Sequence, residues 1–301
     1  MSRIQNILDK AEREGAALRT SRLDAPATAT VPITIEIPTP GATLPEPPAP
    51  IVPGGSGPAH AHAHAAASSS SAADTLEHFT ARLNPLLIAG LAPKSLAAEQ
   101  YRQLRTRLSH AEGATALRTI LVTSPQKSEG KSITAANLAL TMAQELQRRV
   151  VLVEADLRKP SLQQMFGLPA GPGLADFLAG ACELRDALKY LPEHHLTVMP
   201  AGAMPTNPAE LLGSTAMRRL LDQLRSRFDR VILDTPPVLP LADVAVLAPI
   251  VDGTLLVVRA GVTPKPAIEN ALRAFDSSRL LGVVLNESGL EQDYRYEAAR
   301  H

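Results

Sequence analysis

Gly130-Lys131-Ser132 is the tripeptide of this chain whose chemistry is easiest to name. It follows a β-branched, apolar run, Ile120-Leu-Val-Thr123, and a polar turn, Ser124-Pro-Gln-Lys-Ser-Glu129. It precedes an alanine-rich helical pattern from Ala135 to Arg148. Strand, tight turn and helix N-terminus in that order make an anion site. Backbone N–H groups and the helix dipole hold phosphate, a lysine reaches the β/γ oxygens, and a hydroxyl ligates Mg²⁺. Gln126, Lys127, Ser128, Glu129, Gly130, Lys131, Ser132 and Ile133 are therefore the candidate ATP-binding residues, although Pro125 stands where a Walker A loop has its first glycine. Lys127 could help hold phosphate, but the reading favoured for it is an incidental exposed loop charge.

Two more apolar runs end in acids. Val150-Val-Leu-Val153 leads into Glu154-Ala-Asp156-Leu-Arg158, and Val231-Ile-Leu233 into Asp234-Thr-Pro-Pro237. A carboxylate just past a strand suits nucleotide-bound Mg²⁺, which prefers oxygen ligands and keeps several waters. Asp234 is the Walker B candidate, and Glu154 and Asp156, two apart on an extended end, are expected to serve differently, one toward the metal and one toward a nucleophile or second shell. The bland reading of any one acid is a helix N-cap. The ordered set of three strand ends is what points to a P-loop domain.

These residues need a sheet to position them. Strands are expected at 119–123, 150–154, 196–199, 230–234, 253–259 and 281–285, and helices at 134–148, 215–227, 241–248 and 266–276. Continuous apolar strands alternating with helices predict a P-loop NTPase-like α/β fold, a mostly parallel sheet with helices on both faces and its ligand at the strands' carboxyl ends. Upstream, Ser95 is a plausible N-cap for a helix whose Leu96, Tyr101, Leu104 and Leu108 trace one face. On that helix Glu99, Arg102 and Arg105 recur every third residue, either as a solvated face or as a subunit contact.

The 301 residues are 45% hydrophobic but only 3% aromatic, with no Trp, so the core is expected to be Leu, Val, Ala and Ile. Formal net charge is zero, which favours neither nucleic acid nor an anionic membrane as partner. A single cysteine, Cys182, fits a reducing compartment and a small buried hydrophobe. No stretch approaches a membrane span, and the N-terminus lacks a signal peptide's apolar region, so a cytoplasmic protein is expected. Four segments are expected. Residues 1–20 form a short amphipathic helix through Ile4, Ile7, Leu8 and Ala11. Residues 21–75 form a disordered linker rich in Pro, Ala, Ser and His, in which Val31–Ile37 is bracketed by prolines and is not expected to be a strand. His60, His62 and His64 there read as solvated linker. Residues 76–287 form the P-loop domain and 288–301 a polar tail with Tyr294 and Tyr296.

Over about residues 85–290 the chain resembles the bacterial tyrosine kinases of capsule and exopolysaccharide systems, in the soluble form that works with a separate membrane activator. The likeness rests on Glu99-Gln-Tyr-Arg-Gln-Leu-Arg105, the P-loop, Val151 to Pro160, Asn207-Pro-Ala-Glu-Leu-Leu212, Asp234-Thr-Pro-Pro237, Asp252 to Val258 and Gly282-Val-Val-Leu-Asn286. It implies an ATP- and Mg²⁺-dependent protein-tyrosine autokinase. Lys131 would bind the β/γ phosphates, and Ser132, Asp156 and Asp234 would organise Mg²⁺. Glu154 would assist the attacking hydroxyl, Asn286 would lie near the base, and Tyr294 and Tyr296 would be the autophosphorylation sites. Glu99, Arg102 and Arg105 would build a ring-shaped homo-oligomer. The implied partner is a membrane-bound polysaccharide co-polymerase whose cytoplasmic tail activates the kinase, which places the protein at the inner membrane's cytoplasmic face. Three positions depart from the family pattern: Glu154 replaces its Asp, Lys127-Ser128 replaces its Pro-Gly, and the tail carries two tyrosines where a longer cluster is usual. The rival reading is a MinD/ParA-like ATPase switch, whose extra lysine would fall at Gln126. A further alternative is a catalytically weakened nucleotide-binding regulator of the same export system.

Overall fold

The strand that feeds the phosphate loop lies in the middle of the sheet. In the computed structural model, which describes residues 34–36, 76–111, 117–145, 148–239, 242–274 and 279–288, the strands are β1 (Thr34–Glu36), β2 (Glu77–His78), β3 (Thr119–Thr123), β4 (Val150–Glu154), β5 (Lys189–Leu191), β6 (Leu196–Met199), β7 (Arg230–Asp234), β8 (Gly253–Arg259) and β9 (Leu280–Asn286). They form one sheet in the order β1-β9-β8-β3-β7-β4-β6-β5-β2. From β9 to β6 every neighbouring pair is parallel, and the antiparallel pairings are β1 with β9 and β5 with β6.

The central strands are buried along their whole length, and their alternation divides the core in two. Ile120, Val122, Leu152 and Ile232 face one apolar layer, whereas Leu121, Val151, Val153, Val231 and Leu233 face the other. Helices α1 (Leu96–Ala111) and α2 (Lys131–Ala143) cover the first layer. Helices α3 (Thr215–Arg227) and α4 (Lys265–Arg273) cover the second. α3 buries Met217, Leu220, Leu221 and Leu224, the i, i+3, i+4, i+7 stripe, and the Ser214 hydroxyl caps it by accepting from Met217 N at 3.2 Å. Ser95 caps α1 in the same way through Ala98 N. The expected P-loop NTPase-like α/β architecture is the one observed.

One local expectation is corrected. Thr34–Glu36 is a strand, with Thr34, Ile35 and Glu36 opposite Leu285, Val284 and Val283. Pro32 and Pro38 lie outside the paired residues, and an edge strand uses donors on one side only, so the flanking prolines do not forbid it. The apolar run Leu86-Leu87-Ile88 leads into a short helix, Ile88–Leu91. The Asn84 side chain accepts from Leu86 N and its carbonyl from Leu87 N, which turns the chain. Asn137 then secures the turn from α2, accepting from Ala89 N and donating to Leu86 O. β2 and β5 were not expected, because two or three residues are too short to show a period. Residues 1–20, the remainder of the linker with His60–His64, and the tail with Tyr294 and Tyr296 lie outside the described residues. Among the described residues no helix is long and apolar enough to cross a membrane.

Candidate functional site

Sheet order explains how three distant segments meet. β7 lies between β3 and β4, so the loop after β3, the end of β7 and the loop after β4 emerge side by side at the carboxyl edge. The first two are stitched together. Thr235 N and its hydroxyl both donate to Val122 O, Val238 N donates to Ser124 O, and the Thr123 hydroxyl donates to Pro236 O.

α2 begins at Lys131, with Thr134 N closing its first bond onto Gly130 O. Gly130 is left-handed at φ 91°, and a Cβ there would overlap the Asn286 side-chain amide. The turn therefore needs glycine both for its conformation and for its neighbour. Ser128 is also left-handed at φ 64°, at the place where the family pattern has glycine. Lys127 is exposed and makes no ion pair among the described residues.

The loop's own acid braces it. Glu129 is 3% exposed, and its carboxylate accepts from Gln126 N at 2.8 Å and from the Thr263 hydroxyl at 2.5 Å. Burial pushes this carboxyl up, and the Thr263 hydroxyl partly pulls it back. Asn286, expected near a base, donates its amide to Glu129 O at 3.0 Å and so supports the loop from β9.

Lys131 is the hub. Its Nζ donates to Asp156 Oδ2 at 2.8 Å and to the Ser132 hydroxyl at 3.1 Å, and lies 3.7 Å from Asp234 Oδ1. Burial works against the ammonium, but Asp234 and Asp156 outweigh it and hold its pKa above the ordinary lysine value. Asp156 also accepts from Lys159 N at 3.0 Å, and Arg158 grips buried Asp243 through two hydrogen bonds of 2.7 and 3.2 Å.

Asp234 is fully buried, and neither carboxylate oxygen closes a hydrogen bond. Burial pushes its carboxyl up, while Lys131 and the adjacent Ser132 hydroxyl pull it back without reaching bonding geometry. An unpartnered buried carboxylate beside a hydroxyl and a second carboxylate fits Mg²⁺, a hard cation that takes oxygen ligands and completes its shell with water and phosphate. No group of three or more His, Cys, Asp or Glu able to hold a metal by itself occurs among the described residues.

Glu154 takes partners other than those expected. Its Oε1 accepts from Ser161 N and from Leu162 N, the latter at 2.7 Å, and its Oε2 from Ala201 N at 3.3 Å. Burial raises its pKa to about 7 despite these donors. Glu99 and Arg102 pair at 2.7 Å on α1, whereas Arg105 reaches across to Thr141 O in α2 at 2.9 Å and to Glu145 just past its end at 3.1 Å. Sequence reasoning missed Thr263, Asp243 and the backbone donors around Glu154. The two side chains carry a weak signal as polar residues near strand exits, and the donors carry none. A cavity of about 440 Å³ beside the β6 exit, lined by Asp176, Met204, Asn207 and Glu210 among others, includes no P-loop residue.

Fold and site together define a P-loop nucleotide-binding domain with paired acids opposite its lysine. No protein-family model matches the chain. It is 38% identical over 218 residues to the tyrosine-protein kinase YwqD of Bacillus subtilis, covering 72% of this chain and 92% of that one. It is 33% identical over 210 residues to the succinoglycan biosynthesis transport protein ExoP of Rhizobium meliloti, covering 68% of this chain but 27% of that one. Its fold matches the kinase domain of the Escherichia coli tyrosine kinase ETK with a TM-score of 0.61 at 31% identity, over 65% of this chain and 76% of that one. The chain belongs to the bacterial tyrosine-protein kinase family. That membership favours the kinase reading over the MinD/ParA-like switch.

Proposed function

We propose that the chain is an ATP- and Mg²⁺-dependent protein-tyrosine autokinase that regulates capsule or exopolysaccharide assembly or export. The reading is carried by the convergence of Lys131, Asp156 and Asp234 at the exits of three adjacent strands, in a member of a tyrosine-kinase family. The export assignment rests on the name of the Rhizobium relative.

The loop N–H groups of residues 127–133 and the Lys131 ammonium hold the β and γ phosphates at the start of α2, Gln126 N being taken by the Glu129 carboxylate. Ser132, Asp156 and Asp234 would hold Mg²⁺, which neutralises charge on the transferring phosphoryl group. Residues of this kind act by position and charge, because phosphoryl transfer leaves the protein little covalent chemistry to do. Glu129, Thr263 and Asn286 keep the loop in shape. Tyr101 is 4% exposed within the core, so it is unsuitable as an acceptor. Tyr294 and Tyr296 in the polar tail are the assigned acceptors. Glu99, Arg102 and Arg105 on α1 are assigned to a ring-shaped homo-oligomer, and the cytoplasmic tail of a membrane-bound co-polymerase is the assigned activator.

The test is phosphopeptide mass spectrometry after incubation with Mg²⁺ and ATP, with the activator's cytoplasmic tail present. Phosphate on Tyr294 or Tyr296 is expected, and none in Lys131→Ala. A wild-type protein without phosphotyrosine under those conditions overturns the kinase reading.

A further inference from the structure

Glu154 stands at the end of β4 with a carboxylate that is fully buried. One oxygen receives the N–H groups of Ser161 and Leu162 and the other receives that of Ala201. Ser161 and Leu162 open the short helix Leu162–Phe166, whose first-turn N–H groups need partners from outside the helix. Ala201 lies just past β6, the strand paired with β4. A single side chain therefore closes the loop 155–161 at its far end and ties it to the neighbouring strand's exit. Within that loop lie Asp156, which holds Lys131, and Arg158, which holds Asp243.

We propose that Glu154 is a positioning residue: its carboxylate holds Ser161 N and Leu162 N, clasping the far end of the loop 155–161 so that Asp156 faces Lys131, and it does not take the proton of the acceptor hydroxyl. The assignment of a reaction to be positioned rests on the kinase reading; the clasp itself does not. Both oxygens already accept from backbone, and the hydrogen bond to Ala201 is long at 3.3 Å. Aspartate is shorter by one methylene, about 1.5 Å of reach. From the same backbone its carboxylate falls short of Ser161 N and Leu162 N by about that reach. The extra methylene at this position is what makes the clasp possible. Glutamine keeps the length, and its carbonyl oxygen serves Ser161 and Leu162 while only the weak Ala201 bond is lost.

The two roles order the variants oppositely. A proton-accepting Glu154 would make Glu154→Asp the milder change and Glu154→Gln the severe one. A clasp makes Glu154→Gln the milder. The experiment compares wild type, Glu154→Gln and Glu154→Asp in the full chain by autophosphorylation rate across pH, Mg²⁺·ATP affinity and thermal midpoint. The expected result is a Gln variant within about tenfold of wild type, with the acidic limb of its pH–rate profile kept. The Asp variant is expected to be slower by about 10- to 100-fold, in line with an ångström-scale misplacement. It is also expected to bind Mg²⁺·ATP more weakly and to melt earlier. A Gln variant that is folded, binds Mg²⁺·ATP normally and is slowed about 10³-fold or more overturns the proposal. So does an Asp variant equal to or better than the Gln variant. If the wild type makes no phosphotyrosine, the kinase reading fails, and the order of Mg²⁺·ATP affinity and melting still decides the clasp.

Discussion

The Lys131 ammonium donates to Asp156 at 2.8 Å and leaves Asp234, at 3.7 Å, with its charge offset but its oxygens unbonded. The two acids thus differ in kind. Asp156 is anchored by Lys131 and Lys159 N, whereas Asp234 is a buried carboxylate whose burial disfavours its charge.

Replacing Asp234 by Asn removes that buried charge while keeping its shape. Without nucleotide, the thermal midpoint of Asp234→Asn should equal or exceed that of wild type at pH 8. Mg²⁺-dependent ATP affinity should fall at least about tenfold, the scale on which lost metal-site partners act. Titration calorimetry with Mg²⁺ and with chelator checks this. An unchanged Mg²⁺ dependence would remove Asp234 from the metal site.

Ser128 carries a left-handed backbone at φ 64°. That conformation costs a non-glycine residue about 1–2 kcal/mol, and glycine's greater freedom in the unfolded chain gives back roughly 0.5–1 kcal/mol. Ser128→Gly should therefore stabilise the protein by up to about 1 kcal/mol, a rise of about 2–4 °C in a domain of this size. A melting curve that shifts downward contradicts the strain.

Arg102 and Arg105 sit one turn apart on α1 but do different work. Arg105 ties α1 to α2, whereas Arg102 pairs with Glu99 on its own helix and donates to Pro93 O. Arg105→Ala should lower the thermal midpoint by the equivalent of about 1–2 kcal/mol, and Arg102→Ala by less than about 1 kcal/mol. If both line a subunit contact, light scattering should show smaller assemblies for both. Loss of assembly in Arg105→Ala alone would confine the contact to the fold's own requirement.

Glu154 makes stability depend on pH in a stated direction. Its folded pKa, about 7, lies above the ordinary 4.5, so between those values the folded state holds the proton more tightly. Stability from this group is complete below about pH 4.5 and is lost as pH rises through 7, by on the order of 3 kcal/mol. Wild type should therefore lose ground against Glu154→Gln between pH 5 and 8. Parallel pH curves for the two proteins would show that Glu154 does not titrate there.

Much of the scaffold was legible in the residue order. β3, β4, β6, β7, β8 and α3 run between the residues expected, because each is an apolar run or stripe whose period is visible locally. Lys131, Asp156 and Asp234 were legible for the same reason: each follows a strand that announces itself. β2 and β5 were not, since their pairing comes from neighbours and not from a pattern of their own. The edge strand Thr34–Glu36 was hidden by flanking prolines that its single-sided pairing tolerates.

What the sequence by itself determined is the set of strand-end groups able to meet a nucleotide, because apolar periodicity sets where strands stop. Which group faces which was decided only by tertiary structure. β7 had to insert between β3 and β4 before Lys131 could stand between two acids. Glu154 looked like a member of that acid set, but its partners are backbone N–H groups of segments 7 and 47 residues further along. Backbone donors are alike in every sequence, so only the packing of β4 against β6 shows where that carboxylate turns.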